Sequence, residues 1–217
     1  MNLGAQKPLV TGICIAAIVI SILSLFLTQC ERSPKIDVSR QAAATEGLGK
    51  RLGQELPEGS KLVLVMMDSS VDSPVFRGQT QGFNRGFGPY EGKFKIVGRV
   101  TVKIDDMSRG TGAGMPNKVY LDILKQYPDA DAVASLIGIP LLTDQEIDQL
   151  PANVPRLYAV ILYGVGVKRA FEEGILSAAI LPKIERINPE GDPQDADALF
   201  DKYYRYITEQ NYESLAS

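Results

Sequence analysis

The chain alternates apolar runs with polar, turn-forming stretches. "KLVLVMM" (61–67) is a continuous apolar run ended by "DSS". Such a run, bounded by turn residues, predicts a parallel strand covered on both faces. "RLYAVIL" (156–162) and "ILSAAIL" (175–181) read the same way, and a shorter strand is expected within 131–137. "KFKIVGRVTVKI" (93–104) alternates apolar and polar residues and predicts a strand with one drier face. Helical spacing fills the intervals. Over 38–56, Ala44, Leu48, Leu52 and Leu56 recur at i+4, although Gly47, Gly49 and Gly53 weaken the helix. Over 73–87, Ser73 can cap, Pro74 suits the first turn, and Phe76, Phe83 and Phe87 share a face. A helix over 116–126 turns Val119, Leu121, Ile123 and Leu124 inward. Thr143 and Glu146 have capping-box spacing. A helix over 166–173 meets the strand 175–181 at Gly174. A last helix is expected over 193–209, capped by Asp192, with Pro193 at its first position and Leu199, Tyr203, Tyr206 and Ile207 to one side.

Strands alternating with helices predict an α/β fold: a single doubly wound, mostly parallel, five-stranded sheet with helices on both faces. One N-terminal transmembrane helix is expected to precede it. Pro8 to Cys30 contains no charged residue, and Leu9 to Leu27 is nearly all apolar. About 20 helical residues cross a hydrocarbon core of about 30 Å. The stretch is longer than a secretory apolar region of about 7 to 15 residues, which favours an anchor over a signal. The expected organisation is an anchor or signal over 1–30, a polar linker over 31–36 and one α/β lobe over 37–217. Arg32, Lys35, Arg40 and Lys50 follow the span, and by themselves they point to a cytoplasmic domain. Cys30 ends the span. A lipidated cysteine normally follows a small residue, and Gln29 stands there.

Composition narrows the chemistry. The 217 residues are 45% hydrophobic and 23% charged, as in ordinary globular chains. The chain has no histidine, which removes Ser-His and Cys-His nucleophilic catalysis and the usual zinc ligands. Its two cysteines are Cys14, in the span, and Cys30, at the span's edge, so no disulfide framework is expected in the lobe. A formal net charge of −3 gives no footprint for nucleic acid. No cofactor and no metal site is implied.

Ligands of doubly wound sheets bind outside the carboxyl ends of the strands, where the strand order reverses. "DSSVDS" follows the first strand and offers Asp68, Ser69, Ser70, Asp72 and Ser73 to a polyol. The same residue types also serve as ordinary turn and cap formers. Arg77, one turn into the next helix, brings a planar donor fork. "GTGAG" (110–114) lacks the spacing and the Lys-Ser/Thr of a phosphate loop and reads as a mobile loop.

Three stretches carry a resemblance. "KLVLVMMDSS…RGQTQGFNRGF", "YLDILKQYPDADAVASL" and "FEEGILSAAILPK" occur in the order of corresponding segments in type 1 periplasmic binding proteins, the sugar-binding and lac-repressor-like group. The chain resembles the C-terminal lobe only, over about 57–185. The resemblance implies a non-enzymatic lobe on the periplasmic side of a bacterial inner membrane that recognises a small polar solute such as a sugar. It implies contacts from the Asp68–Asp72 loop and Arg77, with Tyr163 stacking on a ring. A complete member closes two lobes over its ligand, so a second protomer or a protein partner would close this cleft. This sequence departs from the pattern after the third strand, where Ile139 and Pro140 replace an Asn-Asp pair, and after the fourth, where Tyr163 replaces an aspartate. An alternative follows from those losses: a scaffold or interaction module that kept the fold and lost the site. It predicts an exposed apolar patch around Ile139, Leu141 and Tyr163.

Overall fold

The apolar runs form one sheet whose strands are β1 (Lys61–Met67), β2 (Lys95–Val102), β3 (Ala132–Ser135), β4 (Arg156–Val160), β5 (Leu176–Pro182) and β6 (Tyr204–Thr208). The computed structural model describes residues 38–68, 73–103, 106, 114–161, 164, 166–183 and 191–215. Asp37–Ser217 form one compact unit. The span expected over 8–30 lies outside the described residues. Among those that are described, no helix is long and apolar enough to cross a membrane.

The strand order is β2-β1-β3-β4-β5-β6. β1 to β5 run parallel, and β6 pairs with β5 antiparallel. The helices are α1 (Ser39–Glu55), α2 (Pro74–Phe87), α3 (Asn117–Gln126), α4 (Asp144–Ile147), α5 (Val167–Glu172) and α6 (Ala196–Tyr203). Successive strand residues point to opposite faces, so each apolar strand feeds two cores. Leu62 and Leu64 join α1 and α2 through Leu48, Leu52 and Phe83. Val63 and Val65 join α3 and α5 through Ile123 and Phe171. The crossover from β1 to β2 steps one way along the sheet and that from β2 to β3 steps back. Right-handed connections therefore place α2 and α3 on opposite faces. On α3 the buried residues are Tyr120, Ile123 and Leu124. Val119 and Leu121, expected inward, are half-buried, because the helix turns Tyr120 toward the sheet.

The sheet has six strands, one more than the apolar pattern predicts. The last helix ends at Tyr203 rather than 209, and "YRYIT" is a strand. Its β-branched and aromatic residues suit a pleated surface. Pairing them with β5 covers an edge that would otherwise expose unpaired backbone groups. The cap also differs from expectation. Asp195 is the N-cap of α6, accepting hydrogen bonds from the Asp197 and Ala198 amides at 3.0 Å.

Asp192 instead ties the chain's last segment to α1. Arg40 donates to its Oδ2 at 3.0 and 2.8 Å, and Lys202 Nζ and the Tyr203 hydroxyl donate to its Oδ1 at 2.8 and 2.5 Å. Burial alone would raise this carboxyl. The three sets of donors overrule it and hold it down at about 2. A carboxylate lowered in the folded state stabilises the fold above its unfolded value of 3.8. That contribution fades as pH falls through about 2. Asp192→Asn is therefore expected to melt at a lower temperature than the parent at neutral pH. The gap should close between about pH 4 and pH 2. A gap that stays constant down to pH 2 would contradict this role for Asp192.

Candidate functional site

The strand order reverses between β1 and β3, and β1 ends at Met67 with Asp68 next in the chain. Asp68 is half-buried, and its amide donates to the Val102 carbonyl at 2.9 Å, which fixes the end of β1 against β2. Arg77 lies in the first turn of α2 and is exposed, with its amide donating to the Ser73 carbonyl at 3.1 Å. Ser73 is the N-cap of α2, in extended conformation, and Pro74 follows at the first helical position. Asp68 and Arg77 thus flank the β1–α2 connection at the carboxyl edge. Ser69, Ser70, Asp72 and Tyr163 lie outside the described residues. So does all but the last glycine of "GTGAG".

The carboxyl end of β3 is built differently. Ala132 through Pro140 are all buried. Ser135 Oγ donates to the Gly138 carbonyl at 2.6 Å and accepts from the Ile137 amide at 3.3 Å. This closes a tight turn in which Gly138 takes φ +95°, a conformation that glycine adopts without steric cost. Leu136 donates back to the Val65 carbonyl at 2.9 Å. The turn sends Ile137 and Ile139 into the core beside Met67, Val102 and Met115. Gly114, the last glycine of the glycine-rich loop, lies against Ile139, where an added Cβ would fall 2.6 Å from its carbonyl oxygen. Asn117 pins the same region from the head of α3, donating to the Leu141 carbonyl at 2.8 Å and to Glu146 Oε2 at 2.9 Å. The Thr143 amide, with the Thr143 hydroxyl and Asn117, lowers the Glu146 carboxyl, completing the capping box of α4.

One expectation is corrected here. Ile139 is 1% exposed and belongs to the core, so it forms no surface patch. Leu141 is half-buried and lines a groove of about 320 Å³ with Ile147, Ala170 and Ile175 between α4 and α5. Ser135 and Asn117 are not singled out by sequence pattern, and Gly114 stands out only as part of the glycine-rich loop. For Ser135 the signal is a serine ending an apolar run, then a glycine three residues on.

Among the described residues no group of three His, Cys, Asp or Glu is placed to hold a metal ion. Tyr120 is fully buried at the head of α3, and its hydroxyl has no hydrogen-bond partner among the described residues.

No family model matches the sequence, and no curated protein matches it. Solved structures do. An arabinose-binding protein from Geobacillus stearothermophilus is similar with a TM-score of 0.53 at 12% identity, over 82% of this chain and 63% of that one. The sugar-binding protein of a sugar ABC transporter from Bacillus halodurans follows at 0.52 and 13% identity, over 81% of this chain and 64% of that one. The chain has the fold of sugar-binding solute-binding proteins. It spans less than two thirds of the length of either. A chain of the XylFII-LytSN complex shares the fold at a TM-score of 0.50 and 11% identity, over 79% of this chain and 60% of that one.

Proposed function

We propose that the protein is a membrane-anchored, non-enzymatic solute-recognition lobe, with an anchor over 1–30, a linker over 31–36 and the lobe over 37–217. Its solute is small and polar, in the class of sugars, and sits at the carboxyl edge of the sheet. The observation that carries this reading is the fold shared with sugar-binding proteins, with the order reversal between β1 and β3 falling beside Asp68. In this reading Asp68, Ser69, Ser70, Asp72 and Arg77 supply polar contacts and Tyr163 stacks on the ring. Carboxylates and a planar guanidinium suit the paired hydroxyls of a sugar. One lobe leaves the ligand open on one side, whereas good sites bury most of theirs. A second protomer or a protein partner would complete the enclosure on the periplasmic side of the membrane.

The test is a thermal-shift and calorimetric titration of the full chain with L-arabinose, D-xylose and D-allose. At least one is expected to bind saturably and raise the melting temperature. Arg77→Ala should weaken that binding about tenfold, the usual loss for one charged hydrogen bond. The reading fails if none of the three binds, or if Arg77→Ala leaves the affinity unchanged.

A second reading has its own support. The end of β3, where the resemblance expects polar sugar contacts, is filled by Ile137, Ile139 and Pro140 as buried core. A lobe that kept the fold and lost the site would be a protein-interaction module, and the XylFII-LytSN complex includes a chain of this fold. This reading predicts a partner that associates with the full chain equally well with and without sugar.

A further inference from the structure

The reversed direction of β6 gives the sheet a feature at its opposite edge. Because β6 is antiparallel, its carboxyl end lies beside the amino ends of β4 and β5. A cavity of about 520 Å³ opens there, lined by Glu55, Arg156, Tyr158, Ser177, Thr208 and Glu209 among others. That volume lies within the range of about 300–1,000 Å³ typical of small-molecule sites. Arg156 and Tyr158 stand two residues apart on β4 and so share a face. Tyr158 is 2% exposed and lies at the floor. Glu55, Arg156 and Glu209 all line this one cavity, so three charged side chains border the same space. Glu55, the last residue of α1, is held in position. The Tyr206 hydroxyl donates to both of its carboxylate oxygens at 2.7 Å. The Arg51 guanidinium covers the Tyr206 ring, 5.0 Å from its centre. Burial and the neighbouring Glu55 carboxylate keep the Tyr206 phenol protonated, so this donor persists throughout the neutral range.

We propose that this amino-edge cavity is a binding site for a basic α-amino acid. The lining of the cavity carries two carboxylates and one guanidinium, one negative charge in excess, with Arg51 set behind it on the Tyr206 ring. The complementary ligand carries one carboxylate and two ammonium groups. Its carboxylate meets the Arg156 fork, which can bind it with two parallel hydrogen bonds. Its ammonium groups meet Glu55 and Glu209. The hydroxyls of Ser177 and Thr208 accept the remaining N–H donors. A neutral sugar would offer the guanidinium and the carboxylates of the cavity no opposite charge, so this site differs in chemistry and in place from the one at the carboxyl edge.

The experiment is calorimetric titration of the full chain with L-lysine. Cadaverine, which lacks the carboxylate, and L-norleucine, which lacks the side-chain ammonium, serve as comparators. L-Lysine is expected to bind saturably, and more tightly than either comparator. Arg156→Met should weaken L-lysine about tenfold while leaving cadaverine bound at least as tightly, since the lost guanidinium repels a dication, and Glu209→Gln should weaken both. Both residues are exposed, so both variants should melt near the parent temperature. The proposal is overturned if L-lysine shows no saturable binding, if cadaverine binds as tightly as L-lysine, or if neither substitution changes the affinity. Sugar titrations report on the carboxyl edge separately, so either site can fail without the other.

Discussion

Gly86→Ala is expected to be among the most damaging single changes in this protein, costing about 3 kcal/mol or more. Gly78, Gly82 and Gly86 recur every four residues and line one side of α2. This stripe lets α2 lie directly on the backbone of α1. A methyl group at Gly86 would overlap the Glu46 carbonyl oxygen, and one at Gly82 would overlap the Ala42 carbonyl oxygen. Gly49 on α1 answers them, since a Cβ there would fall 2.6 Å from the Phe87 amide nitrogen. Backbone atoms cannot rotate away as a side chain can, so the two helices must separate. Separation loosens Leu48, Leu52, Phe83 and Phe87, which form the core on that face. Gly88→Ala is the control. Gly88 has nothing within 4 Å of an added Cβ, and its φ of −50° suits alanine. Urea denaturation of the two variants should show a large fall in midpoint for Gly86→Ala and almost none for Gly88→Ala. Equal midpoints would mean that the helices are not in backbone contact.

Ile139→Asp is expected to cost about 3–5 kcal/mol, because it places a carboxylate without a partner in the core. Ile139 is 1% exposed in an apolar core with Met67, Val102 and Met115, which offers that carboxylate no opposite charge. Ile139→Val should cost only about 1 kcal/mol. The pair bears directly on function. In an open, solvated cleft an aspartate at the end of β3 would be tolerated and could even contact a sugar. A closed, apolar strand end rejects it. Thermal melts that place Ile139→Asp within a degree or so of Ile139→Val would reopen this part of the edge as a ligand surface.

These two positions show where sequence patterns stop. Gly82 stands out in the sequence as half of a "GF" pair, and Gly47, Gly49 and Gly53 look like weaknesses in α1. Only the packed helices give them a reason: each admits a backbone or an aromatic ring where a side chain would collide. Ile139 and Pro140 are visible in the sequence as residues of the wrong polarity for a sugar site. Whether they line a cleft or fill a core depends on Gly114 and Asn117, which come from a distant part of the chain. Of the candidate ligand contacts, Asp68 and Arg77 fall where the strand–turn–helix pattern puts them. Their place was legible because the end of an apolar run marks the end of β1 and a proline marks the first turn of α2.

What the sequence determined by itself was the class of fold. Apolar runs of five to seven residues, bounded by turn residues and alternating with helical segments, read as parallel strands covered on both faces. That pattern is local, so it survives without knowledge of the rest of the chain. The tertiary structure alone decided the fate of "YRYIT". Its residues suit a helix face or a pleated strand, and the open edge of β5 settled the choice. From that one reversed strand came the sixth member of the sheet and the charged cavity at its amino edge. Asp192, spaced as a helix cap, was drawn instead to Arg40, which stands 152 residues away in sequence. Pairings across such separations depend on which surfaces the folded chain brings together, and no local pattern encodes that.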